Sequence, residues 1–450
     1  MRENKDYLIT EKPSRALLIF SIPMIIGNLF QQAYTIVDSA IVGRYVGETA
    51  LAAVGASYAL TSIFICIAIG GGIGASVIIS HHFGAHNYGR MKTGIRTALL
   101  SFLFISLILG GIGLIFSQQI MEVLNTPADA IDIAVTYLNI YFLGLPFLFM
   151  YNILSSMFNA LGESRIPLYL LIFSSVLNIF LDLYMVAVLN LGVAGAAYAT
   201  FISQGISAVL SLIIFVVTLQ QLQGKAEGWF SKTEFSDMSR IALPSILQQS
   251  TVSIGMMLVQ SVVNSFGTQI LAGFSAAMRI ESLCVVPMSA IGNAMSSYTA
   301  QNIGAEKEER ISQGYRMGNF MIIVIAVILC LFLEIAHKPL VALFLDNAAS
   351  SQTIVTGESY LKFIGFFFCM IGFKMAVDGI LRGAGVVSVF MIANMVNLTL
   401  RVTIAKFGAP IWGVSMVWYA VPLGWLANFL ISYGYYRTGK WKEAVSKTVD

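Results

Sequence analysis

Twelve apolar stretches, each long enough to cross a lipid bilayer, follow one another along the chain with short polar breaks between them. A spanning helix needs about twenty predominantly apolar residues. The stretches fall near residues 16–40, 51–80, 94–117, 133–158, 167–189, 193–217, 241–264, 270–298, 316–336, 358–381, 386–406 and 411–435. They leave no room for a soluble domain. Hydrophobic residues make up 57% of the chain and charged residues 11%, against roughly a quarter charged in soluble domains. The reading is an all-α integral membrane protein whose main partner is the bilayer. The polar start, Met1 to Arg15, runs into a long apolar stretch without a small-residue cleavage signature. It reads as a retained first helix rather than a signal peptide.

Charge placement gives an orientation. Lys and Arg gather in alternate connections, among them Arg2, Lys5, Arg90, Lys92, Arg165, Lys225, Lys232, Lys307, Arg310, Arg437 and Lys447. The connection that carries Glu122, Asp129 and Asp132 has no Lys or Arg. Basic residues stay on the cytoplasmic side, so both termini are expected in the cytoplasm, with an even number of spans in the plasma membrane. The net charge of +3 is spread without a basic or acidic tail, so no nucleic acid partner is expected. Cys66, Cys284, Cys330 and Cys369 stand singly in apolar stretches. They read as small buried hydrophobes, not as a metal or disulfide framework.

The longest polar connection lies near the midpoint, and the two halves match across it. An offset of 220 pairs Gly72 with Gly292, Gly84-Ala85 with Gly304-Ala305, and Gly94 and Arg96 with Gly314 and Arg316. An offset of 223 pairs Tyr137-Leu138 with Tyr360-Leu361 and Gly162 with Gly385. The expected organisation is a first lobe of helices 1–6 over 1–220, a cytoplasmic linker over 221–240, and a second lobe of helices 7–12 over 241–450. Six spans per half make the repeat parallel, with its pseudo-twofold axis along the membrane normal. No Gly-x-x-x-x-Gly-Lys-Ser/Thr loop occurs, which argues against ATP as the energy source. Gly70, Gly71, Gly72 and Gly74 lie within an apolar stretch and read as close helix packing.

An ionisable group at membrane depth is costly and marks a functional site by default. The first half has two, Asp38 and Asp182. On a helix Gln31, Tyr34, Thr35 and Asp38 share one face, and so do Asn178 and Asp182. Pro23, about four turns before Asp38, permits a kink. Two carboxyls with an amide and a hydroxyl suit either of two tasks. They can hold a proton, because burial and a neighbouring like charge favour the neutral acid, or a hard cation such as sodium through oxygen ligands. The second half differs. Leu258 stands where the offset places Asp38, and its charges are Arg279, Glu281, Lys374, Asp378 and Arg401. Lys374 and Asp378 are spaced to neutralise each other. His81 and His82 end the second span and read as interfacial, or as a pH-sensitive element.

In this order the residues resemble the multidrug and toxic compound extrusion (MATE) family over nearly the whole chain. The resemblance is carried by Pro23 and Asp38, Val42-Gly43, Leu51-Ala52-Ala53, and the pair Phe83-Gly84-Ala85 and Ile303-Gly304-Ala305. It continues through Leu161-Gly162, Asn178-x-x-x-Asp182, Gly195-Ala196-Ala197-x-Ala199-Thr200 and Arg382-Gly383-Ala384-Gly385. It implies a V-shaped transporter of two six-helix lobes, not an enzyme, that exchanges lipophilic or cationic compounds for sodium or protons. It also implies a cation-coupling site at Asp38, Asn178, Asp182 and Thr200, with sodium possible at all four, and Gln31, Tyr34 and Pro23 as substrate-binding or helper residues. No cofactor beyond the coupling ion and a monomeric state are expected. Some family members carry coupling acids in helices seven and ten. Here the seventh stretch, with Pro244-Ser245-Ile246-Leu247-Gln248-Gln249, has none, which favours the first-lobe site. The rivals are a lipid or polysaccharide-precursor flippase of the same superfamily, an intramembrane enzyme, and a receptor without a transport cycle.

Overall fold

The computed structural model describes residues 6–46, 48–124, 126, 130–345 and 350–442, without the side chains at 42, 48–53, 56 and 59. Arg2, Lys5, Asp129 and Lys447, used above for orientation, and the side chains of Val42 and Leu51-Ala52-Ala53 lie outside it. Thirteen long helices carry the fold of the described residues. They are α1 (Pro13–Tyr45), α2 (Glu48–Gly84), α3 (Tyr88–Val123), α4 (Ile131–Ala160), α5 (Arg165–Asp182), α6 (Gly192–Gln220), α7 (Lys232–Asn264), α8 (Thr268–Gly304), α9 (Glu308–Ala342), α10 (Ser351–Gly365), α11 (Phe368–Gly383), α12 (Val387–Thr403) and α13 (Ser415–Arg437). Among the described residues eleven helical stretches are long and apolar enough to span alone. The bent pair α10–α11, angled by 53° at its break, makes a twelfth. The expected single stretch at 358–381 is thus a broken helix. The break falls at Gly365-Phe366-Phe367, poor helix formers in a row, and no proline announces it.

The helices outrun the apolar stretches because backbone hydrogen bonding continues into polar residues. The clearest case is α7, which starts at Lys232 rather than 241 and brings Glu234 and Asp237 into the seventh helix. The expectation that this helix carries no acid is corrected accordingly. Glu234 is buried because α2 and α3 supply its partners: His82 Nε2 lies 3.0 Å and Arg90 Nε 3.4 Å from its carboxylate. His82 is therefore a buried partner of Glu234.

The described chain forms two compact units, 26–246 and 1–25 with 247–450. Relative to the expected ranges 1–220 and 241–450, each unit takes in the opening turns of the other half's first helix. In the first unit α4 packs against α2, α3 and α6, and α6 against α5. In the second, α8 packs against α9, α10 and α11, and α13 against α11 and α12. The repeat is visible in the backbone itself. The turn after α2 has His86 at φ 55°, and the turn after α8 has Glu306 at φ 57°. The same three bonds close both turns: 85 to 81, 86 to 83 and 87 to 82 in the first, and 305 to 301, 306 to 303 and 307 to 302 in the second. Gly162 and Gly385, at φ 81° and 72°, close α4 and α11 in the same paired way.

Each unit ties a preceding segment onto that turn. In the second unit Arg310 donates to Leu8 O (3.2 Å) and Glu11 O (2.5 Å), Asn302 to Leu8 O (3.1 Å) and Lys307 to Ile9 O (3.0 Å). In the first unit the 221–231 stretch is strapped along α3. Lys92 donates to Leu222 O and Gly224 O at 2.7 and 2.8 Å, and Ser231 N donates to Thr97 Oγ1 at 2.9 Å. The Arg96 guanidinium stacks 4.6 Å above the Trp229 ring.

Candidate functional site

Asp38 and Asp182 are 144 positions apart in the chain, and the first unit brings their side chains together closely enough for a hydrogen bond between the carboxyls. Two ionised carboxylates are acceptors only, so such a contact needs a proton or a cation between them. Asp182 is fully buried and Asn178 is 1% exposed. Each acid keeps one oxygen, Oδ1, buried with no hydrogen-bond partner. Orphaned carboxylate oxygens of this kind fit a small cation or a proton.

Local structure explains how the groups meet. Asp182 is the last residue of α5 before a π-helical stretch, Leu183–Val188. Such wide turns loosen the helical ladder and recur at functional sites. Gly195, near the start of α6, lies against this stretch. A Cβ there would come within 3.1 Å of the Met185 backbone, a tight contact that glycine avoids. Thr200 follows on α6 and reaches Asn178. With its amide oriented by its neighbours, Asn178 donates to Asp182 Oδ2 (2.7 Å) and Tyr34 Oη (3.0 Å), and its oxygen accepts from Thr200 N (3.1 Å). Asn178 thus turns its nitrogen to Asp182. It supports the acid as a donor, while Thr200 holds the oxygen that sequence reasoning assigned to a cation.

Of the residues expected here, Asp38, Asn178, Asp182, Thr200 and Tyr34 come together. Gln31 is exposed, and its carbonyl accepts the Thr35 hydroxyl at 2.9 Å, a local backbone bond that removes Thr35 from the acids. Pro23 lies inside α1, in the other compact unit. Tyr137 of α4 was not anticipated. It stands within electrostatic reach of both acids and lines a small cavity with Tyr141, Thr200 and Gln204. The sequence marks it only as half of the repeat pair Tyr137-Leu138 and Tyr360-Leu361, with Tyr141 one turn on. Among the described residues no three His, Cys, Asp or Glu side chains gather as a transition-metal site.

The second unit arranges its charges differently. Lys374 Nζ lies 3.3 Å from Asp378 Oδ2, the expected neutralising pair, and donates to Asn394 Oδ1 at 3.0 Å. Ser432 donates to Asp378 Oδ1 at 2.6 Å. Glu281 is buried and accepts the Tyr360 hydroxyl at 2.6 Å, while Arg279 two residues away is exposed. The Arg382 guanidinium is buried and donates to Asn293 Oδ1 at 2.8 Å.

Comparison with known proteins agrees with this architecture. The family model MatE matches residues 23–184 and 244–406, one match in each half. Probable multidrug resistance protein YpnP of Bacillus subtilis is 31% identical over 430 residues, covering 95% of this chain and 96% of that protein. Probable multidrug resistance protein YoeA of the same organism is 27% identical over 474 residues, covering both chains in full. Among solved structures, an outward-facing multidrug resistance MATE transporter of the MOP superfamily superposes with a TM-score of 0.89. It covers 99% of this chain and all of that one at 24% identity, and so speaks to the fold. Two matched halves and a relative of this similarity settle the family: the chain is a multi-pass membrane transporter, not an enzyme, and belongs to the MatE family.

Proposed function

We propose that the chain is a secondary active antiporter that exports lipophilic and cationic compounds in exchange for sodium or protons. The observation that carries the coupling half is the pair of half-buried Asp38 and buried Asp182, each with a buried, unpartnered oxygen. Two acids side by side repel when both are ionised, and a proton or a cation between them replaces that repulsion with attraction. The ion's occupancy is then coupled to the positions of α1 and α5, which carry the acids. A ligand shifts a conformational equilibrium only by its differential affinity for the two states. In this reading the ion favours one state and the exported compound the other, which yields alternating access. The multidrug names of the YpnP and YoeA relatives support small xenobiotics as the cargo.

The surroundings of the pair serve either ion. The Asn178 amide donates to Asp182 and to the Tyr34 hydroxyl, and the Tyr34, Thr200 and Tyr137 hydroxyls supply further oxygens beside the acids. The placement that goes with this reading is the plasma membrane, with both termini cytoplasmic and the protein acting as a monomer. The test is dye efflux from proteoliposomes under an imposed sodium gradient and, separately, under a pH gradient, for the parent protein and Asp38→Asn. The variant is expected to lose gradient-driven efflux while it still inserts. Full gradient-driven transport by Asp38→Asn would sink the coupling role.

A further inference from the structure

The repeat that builds the two units does not repeat the acids. In the first unit α1 and α5 each supply one. Their counterparts α7 and α12 meet in the second unit around a cavity of about 230 Å³. There α7 contributes Thr251, Gly255 and Met256, and α12 contributes Asn394, Asn397 and Arg401. The only charged residue of α12 is Arg401, and Leu258 of α7 stands at the offset of Asp38. Like α5, α12 runs into a π-helical stretch, Ile404–Gly408, so the backbone device is kept while the charge it presents is reversed.

The lining has two cations, Lys374 and Arg401, and one acid, Glu281. Glu281 is engaged by Tyr360 at 2.6 Å. Lys374 is balanced by Asp378, which lies outside the lining. Arg401 faces Glu281 but forms no ion pair with it, and its Nε is buried without a partner. A planar guanidinium with a free donor is built for the fork geometry of a carboxylate or phosphate. The rest of the wall mixes polar groups, Thr251, Ser282, Asn394 and Asn397, with an adaptable apolar part, Met256, Met278, Met375, Leu398 and Trp425; the Asn397 Oδ1 acceptor is also buried without a partner. The volume of about 230 Å³ falls below the roughly 300–1,000 Å³ of sites that take a whole drug-sized ligand. It suits a head group with one or two rings.

We propose that this cavity binds the anionic head, carboxylate or phosphate, of an amphipathic compound, with Arg401 as the recognition residue and the methionines and Trp425 around the apolar body. This anion site does not rest on the exporter reading, whose cargo is lipophilic and cationic. Binding at equilibrium needs no gradient, so loss of ion-driven efflux and loss of anion binding are separate results.

The experiment is isothermal titration of the purified full-length protein in nonionic detergent, against a detergent blank, with a matched series of probes. These are 1-naphthoate, 1-naphthyl phosphate, neutral 1-naphthol and cationic 1-naphthylmethylammonium. At least one anion is expected to bind tenfold or more tighter than the cation, about 1.4 kcal/mol. The carboxylate and phosphate arms tell the two heads apart. Arg401→Gln is expected to weaken the preferred anion about tenfold or more, the loss of one charge-assisted contact, and Arg401→Lys to restore part of it. A thermal midpoint for each variant separates lost binding from lost folding. If Arg401→Gln is too unstable to titrate, the probe series on the parent protein and on Arg401→Lys decides. Equal or tighter binding of the cation, no binding of either anion, or a fully folded Arg401→Gln with parent affinity overturns the proposal.

Discussion

The buried carboxylate of Glu234 offers a measurement of what holds the opening of α7 in place. Glu234 is 3% exposed and His82 is 4% exposed. The His82 Nε2 donor lies 3.0 and 3.1 Å from the two carboxylate oxygens. Arg90 is different: its side chain keeps 32% of its surface and can turn to water. Glu234→Ala strands a buried ring nitrogen and removes a buried charge from its partners, a loss of roughly 3–5 kcal/mol. Glu234→Gln keeps an acceptor for His82 and loses only the charge, so about 1–2 kcal/mol is expected. The assay is denaturation of the detergent-solubilised protein, followed by tryptophan fluorescence, for the two variants, His82→Ala and the double variant. The coupling energy between positions 82 and 234 should fall between about 1 and 3 kcal/mol. Glu234→Ala within about 0.5 kcal/mol of the parent, the range of ordinary surface substitutions, would refute this account of the opening of α7.

Two close backbone approaches and one set of hydrogen bonds set three further outcomes. Gly195→Val is expected to force α6 away from the Met185 backbone and to abolish ion-driven efflux while the protein still inserts; parent-level efflux in proteoliposomes would contradict it. A side chain at Gly379 would collide with the Gly292 carbonyl across the α8–α11 contact, so Gly379→Ala should cost about 1–3 kcal/mol by overpacking, read as a lower thermal midpoint. Arg310→Ala removes the donors to Leu8 O and Glu11 O. It should speed protease cleavage ahead of Pro13 and leave the 221–231 strap as resistant as before.

The spans were legible because lipid imposes a length, and the acid pair because a carboxyl at membrane depth has few explanations. Asn178 and Asp182 advertised themselves by spacing along one helix. What brought Asp38 to them was not legible, since the contact joins α1 to α5 across 144 positions and no local spacing reports it. Tyr137 was marked only as a repeat position, which says nothing of a place beside the acids. The π-helical stretches after Asp182 and Thr403 left no trace in hydropathy, because a wider turn buries the same kinds of side chain. Glu234 was missed because it lies in the polar run ahead of the apolar stretch. Its burial comes from partners more than 140 positions away, and no local pattern reports them.

The division of the chain into 26–246 and 1–25 with 247–450 has a topological consequence. The chain passes from one unit to the other not in the polar stretch at the midpoint but inside two helices. Each passage comes two residues after a proline, Pro23 in α1 and Pro244 in α7. The 221–231 stretch is cargo of one unit rather than a tether between two. Cutting it would leave each fragment holding a piece that the other needs, since 1–25 completes the unit built from 247–450, and 232–246 completes the unit built from 26–220. The two halves of the sequence are therefore interleaved parts, each finished by its neighbour, with the joints placed where a helix already lacks a hydrogen bond.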